Sequence, residues 1–296
     1  MSTPMPLPSA PASPIPGLNT FLIGPTGTGK TDALVSLVAA GLELFVIFTE
    51  PHGRSVLLSA AKRRGVDESK IHWVYVPPQS GTWDDFMQRA KRMTAASWAM
   101  LAGSTEDPQK GKFTGFYNLL ASLHDFQCER CGKKYGDVST WGTDRAIALD
   151  SLSGINEVTM QMVAGESIAK SQPQWGAAMN AELLLINKLC YSTRAFFVLT
   201  AHIERQVNEI TGGTYLVPMA LGRKLAPDLP RYFNDVILTV RDGEKFLWST
   251  ATPNADLKAT TLKIGDKIEP SFVPLVNEWQ ARGGIIESQP QGEPKA

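Results

Sequence analysis

The chain has 296 residues, of which 43% are apolar and 20% charged, and its 29 basic and 29 acidic side chains cancel. This composition suits an ordinary globular domain and excludes a fibre or a wholly disordered chain, while three cysteines are too few for a disulfide scaffold. Neutrality also means that a polyanion has to be met by a local patch and not by the overall field.

At this length roughly three quarters of the unfolded surface can be buried, enough for one α/β domain or two small ones, and we read one. Residues 1–17 carry Pro4, Pro6, Pro8, Pro11, Pro14 and Pro16 among Ser, Ala and Thr, which predicts a disordered arm. A strand is expected over Asn19–Ile23, followed by GPTGTGKT from Gly24 to Thr31 and a helix that Gly41 stops. LFVIFTE, from Leu44 to Glu50, is a near-continuous apolar run of the kind a strand covered on both faces shows, and it ends on an acid. A helix over 55–64 and a strand in HWVYVPP follow. The pattern then turns helical, and residues 82–142 read as an insertion that ends in a CxxC segment.

Ala146–Leu149 form a further buried strand closed by Asp150. Two helices follow, one from Gly154 to about Ala169 and one opening near Trp175, and then AFFVLTAH gives a strand that ends at His202. Residues 203–231 lack a period and read as a long polar loop. DVILTVRDGEKFLWST is a hairpin turning at Asp242-Gly243. After Pro270, FVPLV is expected as an edge strand, and residues 282–296 as a disordered tail.

GPTGTGKT fits the phosphate-loop pattern at every fixed position. Gly24, Gly27 and Gly29, with Pro25, Thr26 and Thr28 between them, let successive backbone N–H groups turn inward around a phosphate chain. Lys30 adds a point charge for the β- and γ-phosphates, Thr31 a hydroxyl for Mg²⁺, and the following helix its positive dipole end. Hydrolysis further needs a metal anchor and a group that orients water. Asp150 suits the anchor, with a helix N-cap as the other reading. Glu50 suits the water-orienting group, with a turn acid beside a helix dipole as the other reading. His202, at a third strand end, is either a γ-phosphate sensor or a satisfied core histidine. All three sit where ligands of parallel sheets gather.

The order GPTGTGKT, FVIFTE, ALDSLSGI and FVLTAH, then a glycine-containing loop, resembles the RecA-type ATPase core, in particular the compact phage-encoded RecA-like proteins that anneal or recombine single-stranded DNA. The resemblance spans about residues 18–276. It implies an α/β fold with a mostly parallel central sheet, flanking helices and a C-terminal β-hairpin, in one ATPase domain over 18–281. It implies ATP and Mg²⁺ as cofactors, with Lys30 and Thr31 on phosphate and Mg²⁺, Asp150 as the second acid, Glu50 as the water-orienting carboxylate and His202 as the sensor. Glutamine is frequent at that last position in the family, so His202 departs from the pattern. A homo-oligomer is implied, in which Lys258 of a neighbouring subunit completes the site. Its expected partner cation is replaced by Thr260 and Thr261, leaving Lys263 or Lys267 to assist.

The same resemblance directs single-stranded DNA to the loops after the Asp150 helix and after His202. The second carries Arg205, Arg223, Lys224 and Arg231 against Glu204, Glu209 and Asp228, a weak basic footprint, with Tyr215 and Lys170 as further contacts. Single-strand-binding or replication proteins are the expected protein partners, and the host cytoplasm the location. No apolar run reaches the roughly 18 residues of a membrane helix, so no membrane contact is expected. Two functions of other classes stay open: a nucleotide-switched interaction module without DNA binding, and a motor or loader on a helicase or packaging complex. Finally, Cys128-x-x-Cys131 with His124 four residues earlier suggests part of a Zn²⁺ site, against a metal-free reduced turn or a redox pair.

Overall fold

The computed structural model describes residues 15–103, 110–167, 169–207 and 212–288. Its strands are β1 (Asn19–Ile23), β2 (Glu43–Phe48), β3 (Ile71–Tyr75), β4 (Phe126–Gln127), β5 (Lys134–Gly136), β6 (Arg145–Asp150), β7 (Phe196–Ala201), β8 (Ile203–Val207), β9 (Thr214–Pro218), β10 (Asp235–Asp242), β11 (Lys245–Ser249) and β12 (Lys258–Ala259). The helices are α1 (Lys30–Leu34), α2 (Ser36–Ala39), α3 (Gly53–Arg64), α4 (Trp83–Ala95), α5 (Trp98–Gly103), α6 (Gly115–His124), α7 (Leu152–Ala164), α8 (Gln172–Ser192), α9 (Gly222–Leu225) and α10 (Val273–Ala281).

The main sheet runs in the order β11-β10-β1-β7-β6-β2-β3, with β12 also on β10. From β10 to β3 all neighbours are parallel, and β11 and β12 join β10 antiparallel. This is the mostly parallel α/β arrangement with a C-terminal hairpin expected of a RecA-like chain. Both faces are covered, which is why the strands read as continuous apolar runs. Successive side chains point to opposite faces, so Phe21, Phe45, Ile147 and Phe197 enter one buried cluster and Leu22, Val46, Ala148 and Val198 the other.

Three segments differ from the sequence expectation. FVPLV is helical, in α10. Phe272, Leu275, Val276 and Trp279 repeat at helical spacing and all are buried, and Pro274 sits in the first turn where its missing N–H costs nothing. The expected loop after His202 is a two-stranded ribbon, β8 paired with β9. IERQV is mostly exposed and TYLVP buries only its last two residues, so no apolar period marks them.

The third difference lies at the chain ends. Residues 15–17 and 282–288 pack against the sheet, although disorder was expected there. Trp279 Nε1 donates to Pro16 O (2.8 Å), Thr143 Oγ1 to Ile285 O (2.6 Å), and Arg194 pairs with Glu287 at 2.8 Å. These bonds satisfy polar groups that composition alone cannot place. Residues 1–14 and 289–296 lie outside the described residues.

Candidate functional site

The site forms at the carboxyl ends of β1, β2, β6 and β7. Gly27 and Gly29 have φ of 78° and 84°, the left-handed region that glycine enters freely, and Gly29 opens α1 from that conformation. Glycine is also demanded by space. A Cβ on Gly24 would lie 2.1 Å from Thr239 Oγ1, and one on Gly29 2.6 Å from the Phe246 ring. The hairpin β10–β11 therefore braces the loop from outside. Thr28 Oγ1 adds a bond to Thr239 Oγ1 (2.6 Å) and another to Pro25 O (2.7 Å).

Lys30 is curled back onto its own loop, donating to Gly24 O (2.8 Å) and Pro25 O (2.9 Å). Burial lowers its ammonium from the ordinary 10.5 to about 8, with Asp150 and Glu50 opposing the shift. Next to it Thr31 Oγ1 donates to Asp150 Oδ2 (2.7 Å), while Thr200 Oγ1 donates to Asp150 Oδ1 (2.5 Å). Full burial pushes the Asp150 carboxyl up, and the two threonine hydroxyls work against that. A hydroxyl and a carboxylate are hard oxygen donors, the set Mg²⁺ takes, so Thr31 and Asp150 fit that ion.

Glu50 lies just beyond β2. Its carboxylate accepts a close hydrogen bond from Ser151 Oγ and faces His202 Nε2 at 3.3 Å. The His202 bond is the main reason the Glu50 carboxyl stays below its usual range, so it is ionised at neutral pH. On the other side of the imidazole, Nδ1 stands 3.4 Å from Thr26 Oγ1 of the phosphate loop. His202 thus bridges the loop and the acid. Thr49 ties the ends of β2 and β6 together, accepting from Ser151 N–H (3.0 Å) and donating to Ser151 O (2.8 Å).

Lys30, Thr31, Glu50, Asp150 and His202 are thereby gathered as the sequence suggested. Thr200, Thr49, Thr239 and Phe246 were not singled out. For the threonines the signal was present, namely a polar residue inside an apolar strand, as in FVLTA and DVILTV.

No protein-family model matches the chain, and no curated protein matches it. Among solved structures the RadB recombinase is similar to it, at 12% identity over 80% of this chain and 81% of that one, with a TM-score of 0.39.

Other expected site residues are dispersed. Lys258 lies on β12, which pairs with Asp235 and Val236 at the opposite end of the sheet from the phosphate loop, and its Nζ donates to Phe233 O (2.7 Å). Arg205 is exposed on the ribbon beside the site and Lys224 is exposed on α9. Arg231 precedes β10 at the far end of the sheet, where it pairs with Asp228 (3.7 Å) and donates to Tyr232 Oη (2.6 Å). Arg205 and Arg231 therefore do not share one patch. The Arg223 side chain lies outside the described residues. Lys170 is turned onto Ser167 O (3.1 Å), and Tyr215 onto Gln206 Oε1 (3.3 Å).

The third candidate zinc ligand also has to be corrected. His124 is exposed at the end of α6 and faces Asp137 (3.3 Å). The histidine beside Cys128 and Cys131 is His72, from β3. It is 56 residues before the first cysteine, and only the docking of the inserted segment onto β3 brings them together. Among the described residues no helix is long and apolar enough to cross a membrane.

Proposed function

We propose that the chain binds and hydrolyses Mg·ATP and uses the cycle to act on single-stranded DNA, in recombination, annealing or repair of the phage type, as a homo-oligomer. The observation that carries this reading is the convergence of Lys30, Thr31, Asp150, Glu50 and His202 on the phosphate loop from four separate strand ends. In this reading Lys30 leaves its two loop carbonyls to meet the triphosphate. Thr31 and Asp150 hold Mg²⁺, which when bound neutralises charge on the phosphate oxygens. Glu50, ionised and held by Ser151 and His202, orients the attacking water and takes its proton.

The ribbon is the reading's output. His202 immediately precedes β8, and its carbonyl accepts from Met219 N–H (2.8 Å) just beyond β9, so both legs of the ribbon are rooted at the residue that touches Glu50. A change at Glu50 on nucleotide binding is passed to Arg205 by this route. Lys258 acts, in this reading, only across a subunit boundary, where a cation can be worth about 10³–10⁵ in rate.

The test is ATPase activity with and without single-stranded DNA, comparing wild type with Lys30→Ala. Stimulation by DNA that the variant lacks supports the proposal. Nucleotide binding with no response to DNA favours a nucleotide-switched interaction module, and translocation or unwinding favours a motor.

A further inference from the structure

Strand β3 is the last of the main sheet, and an open strand edge has to be covered or it invites other chains to pair with it. Here the cover is the CxxC turn. Glu129 N–H donates to Trp73 O (2.9 Å), and the Glu129 carboxylate accepts from Tyr75 N–H (2.8 Å). The Arg130 guanidinium lies 5.5 Å from the Trp73 ring centroid and donates to Ile71 O (3.4 Å). The turn closes on itself through Cys128 N–H to Lys133 O (3.0 Å) and Gly132 N–H to Cys128 O (2.8 Å), with Gly132 at a φ of 72°.

This docking brings the ligand atoms of His72, Cys128 and Cys131 within 4.8 Å of one another. Cys131 Sγ stands 3.7 Å from His72 Nδ1. A sulfur and a nitrogen bound to one tetrahedral Zn²⁺, at about 2.3 Å and 2.0–2.1 Å, are separated by about 3.6 Å, so this edge has the length a zinc site requires. The imidazole is also prepared for the purpose. Its Nε2 faces Glu43 Oε1 at 3.1 Å, and Glu43 is held in turn by Arg145 at 3.3 Å. A carboxylate there takes the Nε2 proton in a hydrogen bond and leaves the Nδ1 lone pair for a metal, as in carboxylate–histidine–zinc arrangements. The Tyr135 hydroxyl, 3.2 Å from Nδ1 and 3.0 Å from Nε2, is nearly equidistant from the two nitrogens and so in line with neither lone pair. Stacking of Phe45 on the imidazole, with centroids 4.9 Å apart, fixes the ring.

We propose that His72, Cys128 and Cys131 bind one Zn²⁺, which clamps the inserted segment onto the edge of the sheet. Two thiolates and an imidazole are the soft and borderline donors that select zinc over Mg²⁺ or Ca²⁺. Among the described residues three ligand atoms converge, so in this proposal water takes the fourth tetrahedral position. Because the ligands come from β3 and from a turn far along the chain, metal binding stabilises the fold of both.

The test uses the full chain, purified under reducing conditions without chelator, with zinc measured by mass spectrometry and cobalt exchanged in its place. About one equivalent of zinc per chain and a thiolate-to-cobalt charge-transfer band with tetrahedral visible bands are expected. Cys131→Ser changes an exposed atom and so spares the packing. It and His72→Asn should each weaken zinc by about tenfold or more in competition with a fluorescent chelator, whereas His124→Ala should leave affinity unchanged. If His72→Asn does not fold, Cys131→Ser and the cobalt spectrum of the wild type decide. Under about a quarter of an equivalent of zinc, a cobalt spectrum without the thiolate band, a Cys128–Cys131 disulfide in the reduced preparation, or unchanged affinity in Cys131→Ser would each overturn the proposal.

Discussion

Thr31 Oγ1 and Asp150 Oδ2 are 2.7 Å apart, joined by a hydrogen bond that links the start of α1 to the end of β6. With Thr200 on its other oxygen, Asp150 is a buried acid held by two hydroxyls, one from the start of α1 and one from β7. Thr200→Val removes one partner while keeping the shape. Leaving that oxygen unpaired should cost about 1–3 kcal/mol of stability, read from the midpoint of urea unfolding at constant slope. A change under about 0.5 kcal/mol would mean that the bond contributes nothing net.

Glu50 is proposed to act on water and not on nucleotide binding. Glu50→Gln should therefore hold Mg·ATP with nearly unchanged affinity while steady-state hydrolysis falls by about 10²–10⁴-fold. Measuring the two separately, by calorimetry and by phosphate release, separates this role from a structural one. Equal losses in both would make Glu50 a binding residue.

The position of Lys30 predicts a pH dependence. Its folded-state pKa of about 8 lies below the ordinary 10.5, so as pH rises through 8 the lysine sheds its proton. A triphosphate restores the charge, so binding takes up a proton in that range. Affinity for Mg·ATP should be flat below about pH 8 and fall above it, by up to about tenfold per pH unit. Calorimetry in buffers of different ionisation heat should detect the uptake at pH 9 and none at pH 7. A flat affinity up to pH 10 would place the Lys30 pKa elsewhere.

If Arg205 and Lys224 alone meet phosphates, the slope of log K against log salt on single-stranded DNA should be near 1.4, from about 0.7 per contact. Arg205→Ala should lower it by about 0.7, and Arg231→Ala, at the far end of the sheet, should leave it unchanged. Equal effects from both variants would contradict this placement of the DNA path.

The legible parts of the sequence were those where one local pattern carries both structure and chemistry. GPTGTGKT marks its own loop, and apolar runs ending on Glu50, Asp150 and His202 mark strands with their polar groups at one end of a sheet. What stayed hidden depended on long-range docking. His72 sits in IHWVY as an unremarked residue of an apolar strand, and only the seating of the CxxC turn on β3 distinguishes it from His124. Arg205 and Arg231 look like neighbours in one loop, yet the ribbon brings the chain back to His202 and only the segment through α9 then carries it to the far end of the sheet. FVPLV reads as a strand over its five residues and as a helix once Trp279 is counted with them.

Every step proposed for this chain requires the loop from Gly24 to Thr31 to hold a triphosphate. Isothermal titration of the folded wild-type chain with Mg·ATP tests this directly, with Lys30→Ala as the comparison. Saturable heat with about one nucleotide per chain is expected in the wild type, and an affinity at least about tenfold weaker in the variant. No heat at millimolar Mg·ATP from well-folded wild-type protein, or equal affinity in Lys30→Ala, would contradict it.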